Sequence, residues 1–217
     1  FNPNSGSNSQ VDCLSAEQGY FVSMSGQANQ VPCDEGTYQD LIGQVSCRDA
    51  DIGHYVPTSA QSIQSPCTPG TYQALTGESS CDYADLGYYV DKFASSFQIP
   101  ADAGNFTDEV GRTKQTMCLV GTYQPFAGQS NCLDADRGHY VESIGQTLQI
   151  SCEAGTFQVL TGQIYCNSAS LGHFVSQRGQ SNEIPCPPGT FNPILGAISS
   201  SFCNEAEPGY FVDDYGQ

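Results

Sequence analysis

The sequence predicts a small disulfide-rich β fold: an elongated tandem array of 17-residue β-hairpin units paired into 34-residue repeats. Three observations predict it. Eleven glycines, from Gly19 to Gly189, follow one another at steps of 17 residues. An aromatic residue stands two positions after each of them, from Phe21 to Phe191, and again at Phe211 after Gly209. From Cys33 to Cys186 the cysteines are spaced 14 then 20, with one gap of 37 between Cys81 and Cys118. Fixed periods of this kind are the signature of repeat architectures, whose units bury a core by stacking on their neighbours.

Two kinds of unit alternate. One reads Cys-x-x-Gly-Thr-Tyr/Phe-Gln/Asn, as at Cys33–Gln39 and Cys186–Asn192. The other reads Gly-His/Tyr-Tyr/Phe-Val, as at Gly53–Val56 and Gly172–Val175. The alternation sets the true period at 34 and divides the chain as follows. Residues 1–32 are a partial repeat continuing from upstream, and 33–66 are one repeat. Residues 67–117 are a repeat plus an irregular cysteine-free half-unit, in which Ala101 and Gln115 stand where a cysteine pair would sit. Residues 118–151 and 152–185 are further repeats, and 186–217 form a repeat truncated at the chain end. Residues 1–27 align without gaps to 191–217, matching Cys13 with Cys203. The expectation is a segment of a longer array, with Cys13 unpaired within the segment because its partner lies before Phe1.

Short runs such as Gly-Thr-Tyr-Gln between glycines read as brief strands and turns. Each cysteine-bearing unit is expected to be a hairpin. Its cysteines lie three residues before and eleven after the glycine, symmetric about a turn four residues past it. That symmetry brings two sulfurs together and favours Cys33–Cys47, Cys67–Cys81, Cys118–Cys132, Cys152–Cys166 and Cys186–Cys203. Pairing across the 20-residue gaps, for example Cys47–Cys67, stays open, because connectivity does not follow from sequence alone. The aromatics are expected to form a column, each ring covering the next unit's hairpin.

Composition narrows the function. The chain has 217 residues, 23 glycines, 12 prolines, 11 cysteines and no tryptophan. Regular, dense cysteine marks chains that staple themselves in an oxidising compartment, so the expected location is extracellular or the cell surface. The formal charge of −17 argues against nucleic acid, whose phosphates need a basic stripe. No apolar run approaches the ~20 residues of a membrane span.

The motif Cys-x-x-Gly-Thr-Tyr-Gln-x-x-x-Gly-x-x-x-Cys resembles the ephrin-receptor-like cysteine-rich repeat, itself similar to the cysteine-rich modules of tumour-necrosis-factor receptors. The likeness covers 33–47, 67–81, 118–132, 152–166 and 186–203. It implies elongated extracellular β modules with a bridge from first to second cysteine. Those repeats usually carry two successive cysteines where this chain has one, followed by Ala50, Ala84, Ala135 or Ala169, so receptor function does not carry over. Long extracellular repeat proteins of aquatic microbes are similar too.

Motifs for catalysis are missing: no P-loop, no dinucleotide fingerprint, no Gly-x-Ser-x-Gly. No enzyme activity and no resident cofactor are expected. Asp49 with Asp51 and Asp134 with Asp136 are acid-x-acid pairs, the candidate calcium donors. His54, His139 and His173 occupy equivalent positions in separate units and read as exposed rings. Asn105-Phe106-Thr107 is a glycosylation sequon, with Asn105 the acceptor. The functional expectation is a structural extracellular rod, a segment or subunit of a surface filament, stalk or appendage. Its partners would be itself, through head-to-tail or lateral assembly, and glycans. The alternative is a ligand-binding ectodomain of a receptor or adhesin, for which residues 91–117, with Lys92, Phe93, Phe97, Arg112 and Lys114, are the candidate surface.

Overall fold

A computed structural model describes residues 1–4 and 13–217. Among them the structure is nearly all β: eleven two-stranded antiparallel sheets, one short 3-10 turn and no α-helix. The chain divides into two compact parts, residues 1–100 with 107–115, and residues 101–106 with 116–217.

Every 17-residue unit closes the same hairpin. The two residues after the glycine pair with residues 12 and 13 positions beyond it: Thr37 with Asp49 and Tyr38 with Arg48 in one unit, His54 with Pro66 and Tyr55 with Ser65 in the next. The hairpin is therefore centred on the second glycine, seven residues past the first, and not on the turn four residues past it that the cysteine spacing suggests. The difference arises because the disulfide does not close the hairpin's open end. Cys33 ends the preceding hairpin, where its N–H donates to the Gly19 carbonyl (2.8 Å). The bridge to Cys47 thus links the boundary between two units to the start of a second strand.

The units without cysteine form the same hairpin, and so does the stretch that looks irregular in sequence. Asn105 and Phe106 pair with Met117 and Thr116, respectively. The boundary between the two compact parts passes through this cysteine-free unit. The three-residue lengthening of the last disulfide loop is housed in the 3-10 turn Ser200–Phe202, between hairpin tip and second strand. At the other end Phe1 exchanges backbone bonds with Leu14 (2.8 Å each way), as the aligned pair Phe191 and Asn204 are registered. The rest of that loop, 5–12, lies outside the described residues.

Two-residue ladders are too short to stand alone, and the stacking between units supplies the remainder. In the first part the Gly36 N–H donates to the Val56 carbonyl in the following unit (2.9 Å), and the Gly77 N–H reaches back to the Ala50 carbonyl (2.9 Å). In the second part Gly121 donates to Val141 (2.7 Å) and Gly162 to Ala135 (2.8 Å) in the same register. Most of the leading glycines are required twice over. Gly121 has φ +82°, and a Cβ there would lie 2.3 Å from the Gly162 carbonyl oxygen two units on. Because equivalent units touch at every second step, the fold repeats structurally at 34 residues.

The core is thin. The position three before each leading glycine is held by cysteine or alanine, and Cys33, Ala50, Cys67, Ala84 and Ala101 are all fully buried. The position three after it is held by valine, glutamine, threonine or asparagine, buried from Gln39 to Asn192, as at Val56, Gln73 and Thr107. The aromatics contribute less than their regularity suggests. Tyr38 is buried, in one cluster with Ala50 and Val56, whereas most of the others are only half-buried. With so little apolar mass per unit, the disulfides become a main source of stability.

Candidate functional site

The recurrent feature is the hairpin unit itself, and its motif residues have separable tasks. In the cysteine-bearing unit the threonine after the glycine donates its hydroxyl to the carbonyl two residues before that glycine: Thr37 to Asp34 (2.8 Å) and Thr156 to Glu153 (2.8 Å). The following aromatic pairs across the hairpin. The buried glutamine then bridges the loop. Gln39 donates to the Ser46 carbonyl (2.8 Å) and accepts from the Leu41 N–H (3.1 Å). Gln73, Gln124 and Gln158 repeat both bonds, and Asn192 holds the Ile194 N–H the same way (3.0 Å). Burying an amide is costly unless its hydrogen-bonding groups are satisfied. The loop groups satisfy it, and in return the tip is fixed.

The disulfides are Cys33–Cys47, Cys67–Cys81, Cys118–Cys132, Cys152–Cys166 and Cys186–Cys203, with Cα separations of 5.7 to 5.8 Å. Cys13 is exposed and unpaired among the described residues.

A second clamp sits in the alternate units, and sequence reasoning missed it. The Asp51 N–H donates to the Gln64 side-chain oxygen (2.6 Å), while the Gln64 amide donates back to the Asp51 carboxylate (2.6 Å). Asp85 with Gln98, Asp136 with Gln149 and Glu17 with Gln30 repeat this over the same 13-residue separation. At Ser170 the acid has moved to the other member of the pair, and Glu183 accepts the Ser170 N–H (2.6 Å). The signal was present as an acid two before the leading glycine and a glutamine eleven after it.

These clamps bear on the calcium candidates. Asp51 and Asp136 each spend carboxylate capacity on a glutamine amide, while Asp49 and Asp134 are exposed strand residues beside Gly77 and Gly162. Among the described residues no three metal-ligating side chains come together. His54, His139 and His173 are half-buried and turn Nδ1 toward the carbonyl one residue before their glycine (3.0 to 3.2 Å), a turn-bracing role parallel to that of the threonines. Asn105 takes the same place, with its amide on the Ala103 carbonyl (3.4 Å). Thr107 of the sequon is buried and donates its hydroxyl to the Tyr88 carbonyl (3.1 Å).

In residues 91–117, Phe93 and Phe97 are exposed and Arg112 is ion-paired with Asp108 (2.6 Å) and Glu109 (3.4 Å). The Arg112 guanidinium holds the Asp108 carboxyl below its ordinary range. Tyr72 and Tyr123 hold their phenol protons more tightly than usual, through burial first and the nearby clamp carboxylates Asp85 and Asp136 second. Two shallow recesses share one construction: about 210 Å³ around Tyr55, Thr71 and Cys81, and about 310 Å³ around Tyr140, Thr156 and Cys166.

No protein-family model matches the chain, and no curated protein matches it. Among the described residues no helix is long and apolar enough to cross a membrane. Five disulfides mark a protein that folds in an oxidising, extracellular or secretory environment.

Proposed function

We propose that this chain is a structural extracellular rod, a segment or subunit of a surface filament, stalk or appendage, built from a divergent repeat of the ephrin-receptor-like type. One observation carries the reading. In each compact part, the hydrogen bonds and close backbone contacts that join a unit to its neighbours recur at every step instead of converging on one pocket. Such contacts propagate without a natural stop, which is the property a filament needs. The side chains buried by the motif are committed to the turns and loops, which supports load-bearing over chemistry.

Asn105 is proposed as the N-glycan acceptor, modified before its unit closes, because Thr107 is buried once it has. Replacing Asn105 with glutamine would then abolish an endoglycosidase-sensitive mass shift in the secreted protein.

The test is immunogold labelling of native material with an antibody raised against the folded chain. Gold decorating filaments or stalks at the cell surface is the expected result. Label confined to the cell interior would overturn the proposal.

A further inference from the structure

In the second compact part, three successive cysteine-bearing hairpins end in the tips 125–131, 159–165 and 193–199. Not one of these 21 residues is charged, although the chain carries 23 acidic and six basic side chains. The tips of the two alternate units in the same part, 142–148 and 176–182, carry Glu142 and Arg178. The neutral tips are also apolar. Phe126 is 66% exposed, Leu160 59%, Ile194 48% and Leu195 64%, and Ile164 and Tyr165 are exposed as well.

These residues are not loose. The backbone N–H groups of Phe126, Leu160 and Ile194 are each held by the buried amide of Gln124, Gln158 or Asn192. The three tips share a face, because their units stack directly: a Cβ on Gly121 would meet the Gly162 carbonyl (2.3 Å), and one on Gly155 the Gly196 carbonyl (2.4 Å). The result is a row of fixed apolar knobs at the 34-residue period. Exposed apolar side chains held at a regular spacing on one face mark a candidate interaction site.

We infer that this row is a lateral docking surface for a second copy of the chain. Two arguments select that occupant. A chain of net charge −17 repels its own copies wherever charged faces meet, and the row of uncharged tips, with Asp134 beside Gly162 and Glu142 and Glu153 beside Ile164 and Tyr165 as its neighbouring charges, is a face on which two copies approach at less of that cost. A second copy also presents its knobs at the same spacing, so each knob engages as soon as one does, and the contacts reinforce one another. The inference deepens the filament reading and rests on it: side-by-side pairing turns single strands into a thicker fibre.

The experiment is sedimentation equilibrium of the full chain and two variants. The first carries Phe126→Asp, Leu160→Asp and Ile194→Asp. The control carries Ile144→Asp and Leu148→Asp in an alternate unit. All five side chains are exposed, and disulfide content with amide protection verifies folding. The chain and the control should dimerise with similar affinity. The triple variant should bind at least about a hundredfold more weakly, since each 1.4 kcal/mol is a factor of ten. Added salt should strengthen dimerisation by screening the net charge. A chain that stays monomeric at high concentration, a control weakened as much as the triple variant, or dimers that dissolve in salt would each overturn the docking surface. Solution scattering on the monomeric triple variant separates the two ideas. If the unmodified chain never dimerises while the triple variant is extended, only the lateral contact is refuted, whereas a compact triple variant refutes the filament reading itself.

Discussion

Replacing Cys152 and Cys166 together with alanine isolates what a single staple contributes. The buried site accepts alanine without rearrangement, because Ala135 and Ala169 occupy the equivalent position in the flanking units, fully buried. The backbone bonds at Cys152 survive: its N–H to the Gly138 carbonyl and its carbonyl to the Gly179 N–H, both 2.8 Å. What disappears is the closure of a loop between residues 14 apart. In the chain-entropy account a loop of about 15 residues is worth about 3 kcal/mol, and the lost sulfur adds roughly 1 kcal/mol of cavity cost. Repeat arrays open locally, so the readout is amide exchange. The Gly155 and Ala169 amides, bonded to Val175 and Gly155 carbonyls, should exchange on the order of a thousandfold faster. The Gly36 and Ala50 amides of the first part should not change. Unaltered exchange at Gly155 and Ala169, or loss of protection along the whole chain, would refute the reasoning.

Four further outcomes follow from the same geometry. Gly155 and Gly189 have nearly the same φ, +83° and +85°, but a Cβ on Gly155 would meet the Gly196 carbonyl at 2.4 Å, whereas one on Gly189 meets nothing within 4 Å. In urea unfolding Gly189→Ala should cost about 1 kcal/mol for the backbone alone, and Gly155→Ala about 3 kcal/mol or more; equal costs would rule out the stacking contact. Gln149→Leu should cost about 1 kcal/mol by unpairing Asp136, and Asp136→Ser combined with Gln149→Glu, which copies Ser170 and Glu183, should recover most of it. The Asp108 carboxyl titrates below its ordinary value of 3.8, so its contribution is present above that pH and is lost as pH falls through the lowered value; Arg112→Gln should remove this part of the acid slope. Tyr72 and Tyr123 titrate above 10.0. Their contribution is whole below pH ~10 and fades above it, and Tyr72→Phe should flatten the alkaline side of the stability profile.

Much of the fold was legible because glycine and cysteine report backbone constraints directly. The 17-residue glycine step marks positions of left-handed φ, at most of which a Cβ also has no room, and the aromatic two residues later marks the first strand. The sulfur spacing likewise points to pairs such as Cys33–Cys47. Spacing does not give strand register, however, and the hairpin centre falls on Gly43, three residues beyond the point that the cysteines flank. The core was harder to read. Twelve regular aromatics suggest a ring column, yet the fully buried positions are Ala50, Cys67, Val56 and their equivalents, small residues selected by backbone closeness. The Asp51 and Gln64 clamp escaped notice because its members lie 13 residues apart and belong to different ends of one hairpin. Read singly, the aspartates suggested calcium.

The proposed rod is tested most directly by small-angle scattering from the intact chain at low concentration. A compact globule of 217 residues would have a radius of gyration near ~17 Å. Units laid one after another predict a value well above that, with a long, low tail in the distance distribution. A radius close to the globular figure, with a symmetric distribution, would contradict it.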